Sequence, residues 1–158
     1  MNRRVIAIAA LLCVLLLAAC GTAEEPEAPE HPVIPAQTTT EESNMKLWIN
    51  ETEIPVTWEQ NDAVAALQLL AQGEGLEISM SMYGGFEQVG SIGQSLPRDD
   101  RQITTGPGDI VLYSGNQIVL FYGSNAWSYT RLGHMELPQQ ELRELLGSAD
   151  VTIRIREG

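Results

Sequence analysis

The sequence predicts a mainly β domain, a closed barrel carrying one or two short helices. Three observations predict it. Gly106 to Gly133 holds most of the chain's aromatic residues and is broken at Ser114-Gly115-Asn116 and Gly123-Ser124-Asn125 into three short apolar runs, the pattern of consecutive strands joined by tight turns. Further strand-like runs stand at both ends of the stretch from Met45 to Gly158. Only two segments show helical periodicity, so the order is strand, helix and then mostly strand, which argues against alternating βαβ units.

Ahead of this domain, Arg3 and Arg4 precede an apolar run from Val5 to Ala19 that is short and rich in alanine, the pattern of a secretory leader over residues 1–19. The run ends Leu17-Ala18-Ala19-Cys20, which resembles the lipobox of bacterial lipoproteins. That resemblance implies that Cys20 is lipidated and becomes the first mature residue, a lipid anchor in the cell membrane or outer membrane with the protein on the extracytoplasmic side. The alternative is a plain secretory leader and an incidental cysteine. Cys13, the other cysteine, lies inside the leader, which leaves the mature domain without a disulfide, a thiol nucleophile or a cysteine metal ligand.

Residues 20–44 read as a disordered acidic tether. Glu24, Glu25, Glu27, Glu30, Glu41 and Glu42 repel one another, while Pro26, Pro29, Pro32 and Pro35 favour extended backbone. Removing Arg3 and Arg4 takes the net charge from −12 to −14, of which the six tether glutamates carry −6 and the domain −8. A clustered basic surface is absent, so no nucleic acid is expected as a partner.

Within residues 45–158, Lys46–Asn50 and Glu53–Trp58 form an opening hairpin, with Pro55 pointing to an edge position. Asn61 or Asp62 caps a helix running to about Gln72, whose Val64, Leu67, Leu70 and Ala71 share a face. Leu76–Tyr83 follows as a strand in which Ile78, Met80 and Met82 alternate with Glu77, Ser79 and Ser81. Tyr83 to Thr105 reads as a long glycine-rich connection of the kind that often carries function. Asp109–Tyr113, Gln117–Tyr122 and Trp127–Leu132 are the three central strands. Pro138–Leu146 is a short helix with Leu142, Leu145 and Leu146 inward, and Val151–Arg156 closes the sheet.

The G-D-I, Y-S-G-N-Q-I, F-Y-G and W-S-Y-T-R-L-G segments between Gly108 and Gly133 resemble the bacterial cyclophilin-like domain family over Met45 to about Glu136. The resemblance implies a cyclophilin-like closed β-barrel. Members of that family are described by fold more than by activity. True cyclophilins are prolyl isomerases that use an arginine in an F-H-R-like context after the first helix. Here Met80-Ser81-Met82-Tyr83 stands at that place and no arginine lies between Lys46 and Arg98, so strong isomerase activity is not expected.

No catalytic residue set emerges. His134 is the sole histidine of the domain, no G-x-S-x-G occurs, and neither a metal nor a cofactor is expected. Asp99 and Asp100, flanked by Arg98 and Arg101, read as a solvated loop. The richest constellation is Trp127, Tyr129 and Arg131, which share one face of a strand, together with Tyr122, Tyr83, Phe86 and the bare backbone of Gly84 and Gly85. Aromatic walls and a guanidinium suit a peptide or an aromatic or anionic small molecule. The competing reading makes these aromatics barrel core and sends Arg131 to the rim. Three functions follow: a ligand- or peptide-binding module, a weak prolyl isomerase or other small-molecule enzyme, and a structural envelope protein.

Overall fold

A computed structural model describes residues 43–158; the predicted leader, Cys20 and the tether up to residue 42 lie outside the described residues. The order is β1 (Met45–Ile49), β2 (Thr52–Ile54), β3 (Val56–Trp58), α1 (Asp62–Leu70), β4 (Leu76–Tyr83), β5 (Glu87–Ser91), β6 (Arg101–Thr104), β7 (Asp109–Tyr113), β8 (Gln117–Phe121), β9 (Ala126–Met135), α2 (Gln139–Leu146) and β10 (Thr152–Glu157). All strand pairs are antiparallel, and neighbours follow the path β2-β1-β10-β4-β5-β8-β7-β9-β3, with β6 added on β9.

The two ends of that path are one piece of chain interrupted at Pro55, so the sheet returns on itself as a nearly closed barrel. Pro55 therefore marks a seam instead of the expected free edge. Having no N–H, it stands where the segment leaves β1 and joins β9, and its carbonyl accepts from Glu136 N at 2.8 Å. Across the seam, Trp58 Nε1 donates to Met45 O at 2.8 Å.

Inward-facing residues form one core: Leu47 and Ile49 from β1, Ile78 and Met80 from β4, Ile110 and Leu112 from β7, Ile118 and Leu120 from β8, and Ile153 and Ile155 from β10. Asn61 Oδ1 accepts from Val64 N at 3.0 Å and caps α1, which lays Ala63, Val64 and Leu67 on this core. The helix stops two residues short of the expected Gln72. Helix α2 buries Leu142 and Leu146 against the same core. Among the described residues no helix is long and apolar enough to cross a membrane.

The stretch from Tyr83 to Thr105 is not the single loop expected from its glycines. It holds two strands. Gly84 and Gly85 take φ of +61° and +76°, which only glycine adopts freely in succession, and Phe86 N donates to Tyr83 O at 3.4 Å to close the turn. β5 then runs back along β4, with Gly90 opposite Met80. A Cβ there would meet the Met80 sulfur and fall 2.5 Å from Ile78 Cγ2, so glycine is what lets these strands close. β9 is also longer than expected and continues through His134 to Met135. Its register with β7 shifts between Ile110, opposite Gly133, and Val111, opposite Arg131, a bulge at Leu132.

Candidate functional site

β7 and β8 bury both faces, which is why each reads as an unbroken apolar run. Opposite the barrel interior, Val111, Val119, Phe121 and Tyr129 make a second, outer cluster, flanked by Phe86, Val89, Ile103 and Tyr113. Tyr129 meets Phe121 and Tyr113 edge-on, with ring centroids 5.8 and 5.9 Å apart, and Phe86 stacks on Phe121 at 6.4 Å.

A cavity of about 340 Å³ opens on this cluster. Its buried floor includes Val119 and Tyr129. Tyr83 and Trp127 stand at the mouth, 67% and 56% exposed, and Tyr113, Val89, Gln117, Asn125 and Glu87 complete the wall. Sequence explains each placement. The Gly84-Gly85 turn ends β4 at Tyr83 and so holds that ring at the rim. Asn125 is fixed by Thr105, whose N and Oγ1 both donate to its carbonyl at 2.8 and 2.9 Å; its Nδ2 then donates to Tyr129 Oη at 3.1 Å.

Glu87 is the acidic member of this wall. It is only 6% exposed, and its buried Oε2 has no hydrogen-bond partner among the described residues. Burial pushes its carboxyl up to about 7. Burial first, and then the charge of Glu87, raise the Tyr129 phenol above its ordinary value. Sequence reasoning missed Glu87 because it lay in an assumed loop. Had β5 been recognised, its period-two relation to Val89 would have placed both on the aromatic face.

The predicted residues separate into groups. Tyr83, Trp127 and Tyr129 line the cavity together, and Gly84 and Gly85 form the turn that presents Tyr83. Phe86 packs behind it on Phe121. Tyr122 belongs to the barrel core and does not line the cavity. Arg131 lines a neighbouring groove that shares Tyr129. There its Nη1 lies 3.2 Å from Asp109 Oδ1, which also accepts from His134 Nδ1 at 3.1 Å, while Asp109 Oδ2 accepts from Gly106 N at 2.9 Å. The guanidinium expected beside Trp127 is thus held by a carboxylate elsewhere, and among the described residues none that lines the cavity is basic. No group of three or more potential metal ligands occurs among the described residues.

A family model for the cyclophilin-like family matches residues 47–156. The chain belongs to the cyclophilin-like family. The match runs from β1 to β10 and takes in every residue of the cavity. Comparison with curated proteins and with solved structures returned no match. Within this cyclophilin-like barrel, Met80-Ser81-Met82-Tyr83 forms the second half of β4 and delivers Tyr83 to the cavity.

Proposed function

We propose that the protein is a membrane-anchored, extracytoplasmic binding module that takes a small molecule or peptide side chain in the Tyr83–Trp127 cavity, without strong prolyl isomerase activity. One observation carries this reading: two large aromatic side chains stay mostly exposed at one cavity, which the buried Tyr129 also lines. Exposed aromatic surface costs solvation free energy, and its concentration at one concavity marks a contact site. The volume falls within the range of about 300–1,000 Å³ usual for ligand pockets.

A thermal-shift screen of small molecules and short peptides, run on wild type and Trp127→Ala, tests the reading. Ligands are expected to raise the melting temperature of wild type and to lose most of that shift in the variant. Shifts that survive Trp127→Ala would move the site elsewhere. For the anchor, Cys20→Ser is expected to leave the precursor unprocessed or to release the protein from the membrane fraction, as followed by fractionation and mass of the mature chain. Ordinary membrane retention of an unlipidated Cys20→Ser protein would remove the anchor. A standard X-Pro isomerisation assay is expected to show no appreciable acceleration.

A further inference from the structure

We propose that the cavity selects a small organic ammonium ion, with Glu87 as its counter-charge and Tyr83, Trp127, Tyr113 and Tyr129 as the surrounding π-faces. The inference rests on the cavity being the binding site and adds the chemical class of what it binds. Four aromatic side chains and one carboxylate line the same concavity, and no basic residue does among the described residues. Aromatic faces carry negative quadrupole charge and attract cations, most strongly where water is excluded. They offer an anion nothing.

The state of Glu87 makes the second half of the argument. A carboxylate buried without a partner is expensive, and such groups are normally paired or hydrogen-bonded. Glu87 has neither at Oε2, whereas Asp109, comparably buried, holds Arg131, His134 and a backbone N–H. The molecule thus satisfies one buried acid from its own residues and leaves the other, in the cavity wall, without a counter-charge. An ammonium ion supplies that partner. The domain's net charge of −8 adds a favourable field for cations approaching the mouth.

A proton couples to this binding. The empty site holds Glu87 partly protonated near neutral pH, because its carboxyl titrates at about 7. A cation binds the ionised form, so binding releases the proton and affinity rises with pH up to about 7, then levels. The other ionisable groups lining the cavity are the phenols of Tyr83 on β4, Tyr113 on β7 and Tyr129 on β9; β8 contributes none.

The test compares choline with its uncharged carbon isostere, 3,3-dimethylbutan-1-ol, by titration calorimetry. The full chain is purified in a maltoside detergent, whose headgroup bears no charge. Choline is expected to bind about tenfold or more tightly than the isostere, the order of a desolvated cation–π contact plus a counter-ion. Its affinity should increase several-fold between about pH 6 and pH 8, following the titration of Glu87. Glu87→Gln, which keeps size and removes charge, should reduce the preference to what the aromatic side chains alone supply and abolish the pH dependence, while leaving isostere binding within about twofold. Trp127→Ala, at a position more than half exposed, should weaken both ligands. Equal affinity for choline and isostere overturns the ammonium assignment and leaves the cavity reading standing. An undiminished preference for choline in Glu87→Gln overturns the role of Glu87, and failure of choline to bind at millimolar concentration overturns the proposal outright.

Discussion

At Glu87 the fold sets a protonation state, and stability must follow it. The folded carboxyl titrates at about 7 and the ordinary value is 4.5, so between these values the folded chain holds a proton that the unfolded chain releases. Stability is therefore fully present below about 4.5 and is lost as pH rises toward about 7. Thermal denaturation should give a lower melting temperature near pH 8 than near pH 5.5, and Glu87→Gln should remove a clear part of that difference, at roughly 4 °C or more per kcal/mol for a domain this size. A variant with the same pH slope as wild type would place the titration in other groups. Arg131 carries the opposite expectation from the one its sequence position suggested. Its ion pair with the buried Asp109 sits outside the cavity, so Arg131→Met should leave cavity affinity unchanged while costing about 1–3 kcal/mol, because Asp109 loses a charged partner and keeps only His134 and Gly106 N. Guanidinium-dependent ligand affinity in a titration would contradict this.

Among the elements, those with a continuous or alternating apolar signal were legible: β1, the β2–β3 segment, β4, β7, β8, the first part of β9, β10 and both helices. β5 and β6 were not, and the reason is physical. In β5 the inward positions are Gln88 and Gly90 and the outward ones Glu87, Val89 and Ser91, so neither face shows an apolar pattern. Gln88 is buried because its Nε2 donates to Leu146 O and Ala149 O, both at 2.7 Å, and Gly90 is small because Ile78 and Met80 fill its share of the interior. β6 pairs with β9 alone and is mostly exposed, leaving it no reason to alternate. The candidate site was half legible on the same account, since Trp127 and Tyr129 lie on a readable strand and Glu87 on an unreadable one. Gly90→Ala should destabilise by about 1–3 kcal/mol, because the added carbon meets the stiff, branched Ile78 inside a packed core. Asn61→Ala should cost about 1 kcal/mol through loss of the α1 cap. Chemical denaturation measures both, and a neutral Gly90→Ala would show that β4 and β5 separate more easily than their contacts imply.

For the molecule as a whole, the decisive feature is that a single segment, Thr52–Trp58, pairs with β1 by its first half and with β9 by its second. Closing the sheet this way joins the first and last parts of the barrel path, so the seam has no edge of its own from which to open. Trp58 ties it: the ring is 9% exposed and its Nε1 reaches Met45 O on the neighbouring strand. Trp58→Phe keeps an aromatic in the core and removes that donor, which should cost about 0.5–1.5 kcal/mol for the hydrogen bond, with a further contribution from lost volume. If the seam melts only with the rest of the barrel, the variant will shift the denaturant midpoint without changing the slope, because slope follows the surface exposed on unfolding. Tryptophan fluorescence and far-UV circular dichroism should then give coincident transitions. A reduced slope, or a fluorescence transition ahead of the circular dichroism, would mean that β3 detaches first and that the barrel is held shut at Pro55 less tightly than its pairing indicates.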